Sequence, residues 1–224
     1  WNANIPANMP AENLTFTGRY NANTDTAYVV KYYLQNIEND EYTEDTESRV
    51  NGTCTTNTEA EAEVKTFTGF HFNEEASTVK GNIAGNGSLE LSVYYDRDVH
   101  SVIYSYTGDV HPEDEDALPE TKSYKYGATI PAAAVPEAEG HTFHGWTDEA
   151  TTMGTANVTP SGYWTVNDYT ITYQIEGNDD VVHTYAYQGE VTAYVPAQVD
   201  GYTFSGWNAN IPANMPAENL TFTG

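Results

Sequence analysis

Residues 1–18 read WNANIPANMPAENLTFTG, and residues 207–224 read the same, letter for letter. Eighteen identical positions lie beyond chance, so the chain reads as a window on a tandem array with a period of 206 residues. The second copy follows directly on Gly201-Tyr-Thr-Phe-Ser-Gly206 and reads as the closing piece of a module. The first copy has no such lead-in, so residues 1–26 are expected to be the C-terminal part of a module whose start is missing.

A weaker repetition runs inside the period. Tyr28-Val-Val30-Lys-Tyr32, His100-Ser-Val102-Ile-Tyr104 and Tyr169-Thr-Ile171-Thr-Tyr173 share an alternating pattern with tyrosine in fifth place. Period two puts alternate residues on one face of a strand covered on one side only. Downstream, each has Gly-x-x-Phe: Gly69–Phe72, Gly140–Phe143 and Gly201–Phe204. A closing strand follows at Leu89–Tyr95, at Tyr163–Val166 and, for the third segment, in the repeated block continued through Arg19-Tyr20. Three segments, 27–98, 99–168 and 169–224, are thus expected to fold as small modules. Turns fall at Asn39-Asp-Glu, Asn51-Gly, Asn86-Gly and Gly177–Asp180, where Asn, Asp and Gly accept left-handed backbone angles. Glu59-Ala-Glu-Ala-Glu-Val-Lys65 is the one stretch expected to be a helix. Its counterparts at 130–139 and 193–199 contain proline and are expected to form at most one turn.

Composition narrows the function classes. The formal charge is −25, from 33 Asp plus Glu against eight Lys plus Arg. Such a surface repels nucleic-acid phosphates and anionic lipid headgroups. Aromatic residues make up 13% of the chain, too many for a disordered acidic tail. No run of 18 apolar residues is present in this window, so no membrane span is expected in it. Cys54 is the single cysteine and can form no disulfide within the period; it is expected to be a small hydrophobe.

Gly-Tyr-Thr-Phe-x-Gly-Trp at 201–207, the Pro-Ala-x-Met-Pro-Ala-Glu-Asn stretch at 212–219 and the closing strand resemble the Listeria-Bacteroides repeat found in internalin B-repeat regions. Residues 27–98, with VKYYLQN, FTGF and SLELSVYYDR, resemble the mucin-binding-protein-like repeats of cell-surface adhesins, while 99–168 is a looser match with an acidic insertion at His111–Glu120. The resemblance implies an all-β to α+β fold of tandem β-grasp-like modules strung end to end in an elongated array on the outside of a cell.

Candidate chemistry is sparse. Catalysis needs a nucleophile or an acid/base pair converging in a pocket, and no such constellation is visible; catalytic, cofactor-binding and metal residues are all expected to be none. His141 and His144 form H-x-x-H, but a spacing of three on a strand points the rings to opposite faces. Acidic groups at Glu38–Glu47, Glu113–Asp116 and Asp179-Asp180 offer oxygen ligands for Ca²⁺ without EF-hand spacing, so solvated loops are the favoured reading. Leu118-Pro-Glu-Thr-Lys122 mimics a sortase signal but carries Lys where Gly is required. Asn-x-Ser/Thr sequons begin at Asn13, Asn51, Asn86, Asn157 and Asn219. Trp164 and Tyr33 are read as exposed aromatics that could stack on sugars, with structural use in a small β module the favoured reading, and Lys31 as an isopeptide donor for which the sequence identifies no paired Asn and buried acid.

The function expected from these readings is a non-enzymatic stalk or fibre region of a large extracellular adhesin. Its partners would be adjacent repeats of the same chain, with other copies in a fibre, or host or wall glycans, as alternatives.

Overall fold

The computed structural model describes residues 1, 3–110, 112 and 118–224, and they fall into two compact units. The first holds Trp1–Asp98 and Lys125–Gly127; the second holds Val99–Tyr124 and Ala128–Gly224.

The first unit contains β1 (Thr26–Gln35), β2 (Tyr42–Glu44), β3 (Val50–Cys54), β4 (Glu59–Glu61), β5 (Phe70–Thr78), β6 (Lys80–Asn82) and β7 (Leu89–Arg97). Its long opening strand is central. β2 and β3 pair antiparallel with one edge of β1, while β7 runs parallel along the other, in register from Tyr28 opposite Leu89 to Leu34 opposite Tyr95. β5 then adds antiparallel to β7. The alternation read in the sequence decides what is buried: Val30 and Tyr32 from β1, and Leu91, Val93 and Tyr95 from β7, meet in one core with Ile83, Ala60 and Ala62. Burying an aliphatic side chain of this size is worth about 1.5–3 kcal/mol. Phe67 caps this core, its ring 4.8 Å from that of Tyr95. Cys54 packs partly buried against the same cluster.

The stretch Glu59–Lys65 is not a helix. Glu59–Glu61 forms β4, paired antiparallel with β6, and the alternating Ala60 and Ala62 are buried while their glutamate neighbours face solvent. Among the described residues there is no helix.

The second unit contains β8 (Val99–Val102), β9 (Ser105–Thr107), β10 (Lys122–Lys125), β11 (His141–Phe143), β12 (Ser161–Val166), β13 (Asp168–Gln174), β14 (Val181–Ala186) and β15 (Leu220–Thr223). β8 and β9 are one opening strand interrupted at Ile103-Tyr104: β10 pairs with β8, and β12 lies parallel to β9 with β11 antiparallel beyond it. In the third segment β13 is central, between antiparallel β14 and parallel β15. Their cores are Val102, Ile130 and Met153 in one case, and Ile171, Tyr173, Met215 and Phe222 in the other.

All three segments share one plan: an opening strand, a hairpin partner on one side and a parallel closing strand on the other. This is a β-grasp-like arrangement without its helix. One apolar residue floors each core from the same hydrogen-bonding station. The amide of Ile83 donates to Thr58 (2.8 Å), that of Met153 to Ala128 (2.9 Å) and that of Met215 to Gly189 (2.9 Å).

Candidate functional site

Residues singled out for chemistry do not assemble into a reactive centre. Among the described residues no group of three or more His, Cys, Asp or Glu side chains is arranged to hold a metal ion. His141 packs edge-on to Trp164 and Tyr187, while His144 stacks on Tyr163 and meets the Thr165 hydroxyl at 2.9 Å. Lys31 is ion-paired with Glu90 at 2.6 Å on the exposed face of the sheet. Asp180 accepts a hydrogen bond from Gln174. The Glu113–Asp116 cluster lies outside the described residues.

The two aromatics serve the fold, as the favoured reading had it, but Trp164 is not exposed. Trp164 is only 4% exposed, enclosed by Phe143 at 5.0 Å and Tyr106 at 6.0 Å. Tyr33 is half-buried and stacks on Tyr94 at 4.7 Å with planes 12° apart. Two of the sequon asparagines also serve the fold: the Asn157 side chain accepts from the Ser101 amide and that of Asn219 from the Thr170 amide, tying closing strands to opening strands.

What does recur is a clasp at the end of the first and of the second segment. In the first unit the amide of Asp98 donates to the carbonyl of Gly69 (2.9 Å), and the amide of Tyr126 donates to the carbonyl of Asp98 (2.8 Å). In the second unit Asn167 donates to Gly140 (2.9 Å) and Tyr187 donates to Asn167 (2.9 Å). One spacer residue thus bridges a glycine before it and a tyrosine after it through main-chain atoms alone. The tyrosine ring lies over the glycine: a methyl built on Gly69 or Gly140 would fall 2.2 Å from the ring of Tyr126 or Tyr187. Both glycines have left-handed backbones, φ 76° and 68°, which L-residues adopt at a cost. Only glycine meets both demands.

Side chains reinforce each clasp at matching positions. His71 meets the Asp98 carboxylate at 2.8 Å, and the Thr142 hydroxyl donates to Asn167 at 2.6 Å. Phe70 packs edge-on to Tyr126 at 6.0 Å, as His141 does to Tyr187 at 5.6 Å. In the first unit Arg97 adds a further brace. Its guanidinium lies over Phe70 and donates to the carbonyls of Gln35 (2.6 Å) and Tyr126 (2.8 Å). Burial pushes its pKa down, but arginine starts so high that it stays charged.

A third clasp is half built. The amide of Thr56 donates to the carbonyl of Asn23 at 2.9 Å, as Tyr187 does to Asn167, and Asn57 takes the positive φ found at Gln188 and Gly127. Threonine replaces tyrosine here, so no ring reaches for a glycine. These clasps were not read from the sequence; the traces they leave are Tyr124-Lys-Tyr126-Gly127 and Tyr185-Ala-Tyr187-Gln-Gly189.

The profile of the Listeria-Bacteroides repeat domain matches residues 100–167 and 169–222, the two segments that meet at the second clasp and just over half of the chain. The chain belongs to this family. Listeria-Bacteroides repeats therefore include the middle segment, 100–167, despite its acidic insertion. A putative membrane protein of Evansella cellulosilytica is 30% identical over 151 residues, covering 60% of this chain and 20% of its own length. A putative Gly-rich membrane protein of the same organism is 27% identical over 157 residues, covering 63% of this chain and 17% of its own length. Internalin H of Listeria monocytogenes is 33% identical over 111 residues, covering 41% of this chain and 20% of its own length. This chain spans about a fifth of the length of each of these relatives. Among solved structures, streptococcal high-identity repeats in tandem, domains 3–4 of a cell surface protein, align with 62% of this chain and 98% of their own at 16% identity, with a TM-score of 0.26.

Proposed function

We propose that the chain is part of the extracellular repeat region of a cell-surface protein, where its modules act as a stalk that transmits length and tension. One observation carries the reading: in every segment the first and last strands are parallel neighbours. Tension enters at the start of β1, of the interrupted β8–β9 strand or of β13 and leaves at the end of β7, β12 or β15. It therefore pulls two parallel strands in opposite directions along their length. Bonds loaded in this way share the force and must give together, whereas an antiparallel hairpin pulled open at one end loses them singly. The clasp suits the same role, because a one-residue spacer bonded on both sides leaves no slack. The surface setting is supported by family membership, by the likeness to internalin H and by the acidic charge.

Single-molecule stretching of the chain, held by its two ends, tests this. Each module should resist and then yield in one event, releasing about 3.6 Å of contour per residue. With 72 and 69 residues between the corresponding starts Tyr28, His100 and Tyr169, that is about 250 Å per event. Smooth extension without discrete events would remove the mechanical reading.

A further inference from the structure

The tyrosine in fifth place of each opening strand is covered differently in the three segments. In the first, the Phe67 ring lies 6.3 Å from that of Tyr32, and the Lys65 ammonium sits 4.3 Å over its face. In the third, the Tyr194 ring lies 5.5 Å from that of Tyr173 and 6.0 Å from that of His183. In the second, a cavity of about 170 Å³ opens beside Tyr104, walled also by Val102, Lys122, Tyr124, Ile130 and Ala133. All of its walls belong to the second compact unit and lie between Val102 and Ala134, well inside the sequence.

The cause is one residue. From Lys122 to Trp146 the second segment aligns without a gap on His183 to Trp207 of the third: Tyr124 falls on Tyr185, Ile130 on Val191, Gly140 on Gly201 and Ala133 on Tyr194. Ala133 and Tyr194 are each half-buried between exposed neighbours, so both side chains turn inward from the same station. Alanine leaves the space that the phenol ring of Tyr194 fills. No other side chain of the segment closes it, since Glu120 and Lys122 are exposed where Val181 and His183 are half-buried. A cavity of about 150 Å³ is enough to admit a benzene ring. Its walls suit a ring better than an aliphatic chain: Tyr104 and Tyr124 offer aromatic surface. Lys122, which makes no ion pair among the described residues, offers an ammonium to a π face, as Lys65 does to Tyr32.

We propose that the cavity of the second segment is a binding site for a single phenol-sized aromatic ring, carried by a small molecule or by a tyrosine of a bound peptide. The ring takes the place that Tyr194 fills in the third segment, packs against Tyr104 and lies beside the Lys122 ammonium. The segment thereby gains a recognition role in addition to bearing tension. Stretching events do not depend on ring binding, so this reading and the stalk reading can fail separately.

p-Cresol, the free side chain of tyrosine, titrated into the isotope-labelled full chain, should shift the amides of Tyr104, Lys122 and Ala133 saturably. Cyclohexanol, of similar size without a π face, should bind more weakly. Acetyl-Gly-Tyr-Gly-amide separates the two sources: shifts with p-cresol alone assign the site to small aromatic molecules, and shifts with both probes assign it to tyrosine in a peptide. Ala133→Tyr should supply the ring from within and abolish the shifts, while Ala132→Tyr, one residue away and exposed, should leave them unchanged. Lys122→Ala, an exposed change that leaves the fold intact, should weaken p-cresol binding by about threefold, the loss of one cation–π contact. No saturable shift at those three amides with either probe, equal binding of cyclohexanol, or binding that survives Ala133→Tyr or is indifferent to Lys122→Ala overturns the proposal.

Discussion

The same eighteen residues adopt two structures in this molecule. At 207–224 they supply β15, and Met215 is fully buried (0% exposed) beside Phe222 and Ile171. At 1–18 they form no strand, and the equivalent Met9 is 72% exposed. Something local survives in both: Trp1 lies near Gly18 as Trp207 lies near Gly224, so the reversal that brings the ends of the block together is written in the block itself. What differs is the neighbour. Only the second copy has β13 in parallel register with it, Ile171 opposite Leu220 and Tyr173 opposite Phe222. Strand and core are properties of the pair, which is why β propensity alone predicts so little.

The largest test of that comparison is to damage both copies in turn. Met215→Ala should cost about 2–5 kcal/mol, the range for emptying a buried methionine site, while Met9→Ala should stay within about 0.5 kcal/mol as surface changes do. Chemical denaturation followed at amides of the third segment measures both, and equal effects would mean that the first copy is packed in solution. A smaller contrast separates Gly140 from Gly201. Both have left-handed backbones, φ 68° and 81°, but only Gly140 lies under a tyrosine ring. Alanine at either should cost about 1 kcal/mol for backbone strain, and Gly140→Ala should cost about 1–3 kcal/mol more for the clash. A null difference in unfolding midpoint would deny the clasp any energetic role.

The smallest effect is expected at high pH. Burial pushes the pKa of Tyr173 up from its ordinary value, partly offset by the Tyr194 backbone, and burial likewise raises Tyr32, Tyr95 and Tyr104. Because the folded state holds these phenol protons more tightly, their contribution is complete below the unfolded tyrosine pKa of about 10 and is lost as pH rises through the folded values. Denaturation midpoints should fall above about pH 10, in step with phenolate absorbance. A midpoint flat across that range would place these hydroxyls in water.

Much of this was legible before any coordinates. Period-two alternation placed Val30, Tyr32, Ile171 and Tyr173 inside, and the Gly-x-x-Phe signals placed β5 and β11. Glu59–Lys65 misled because alanine and glutamate are good helix formers, yet A-E-A-E alternates with a period of two, and the buried Ala60 and Ala62 obey that period. Trp164 misled because its enclosing rings come from Tyr106 and Phe143, distant in sequence, which no local pattern reveals. The clasp was hidden for a third reason. A ring over a glycine is a contact between two turns, and it leaves no periodicity at all.

The spacers Asp98 and Asn167 make their two clasp bonds with backbone nitrogen and oxygen. Substitution therefore cannot remove those bonds, since every residue other than proline brings the same pair of atoms. Insertion or deletion can, because one residue more or fewer throws the following tyrosine off its glycine. At these two positions the chain is tolerant of spelling and intolerant of length.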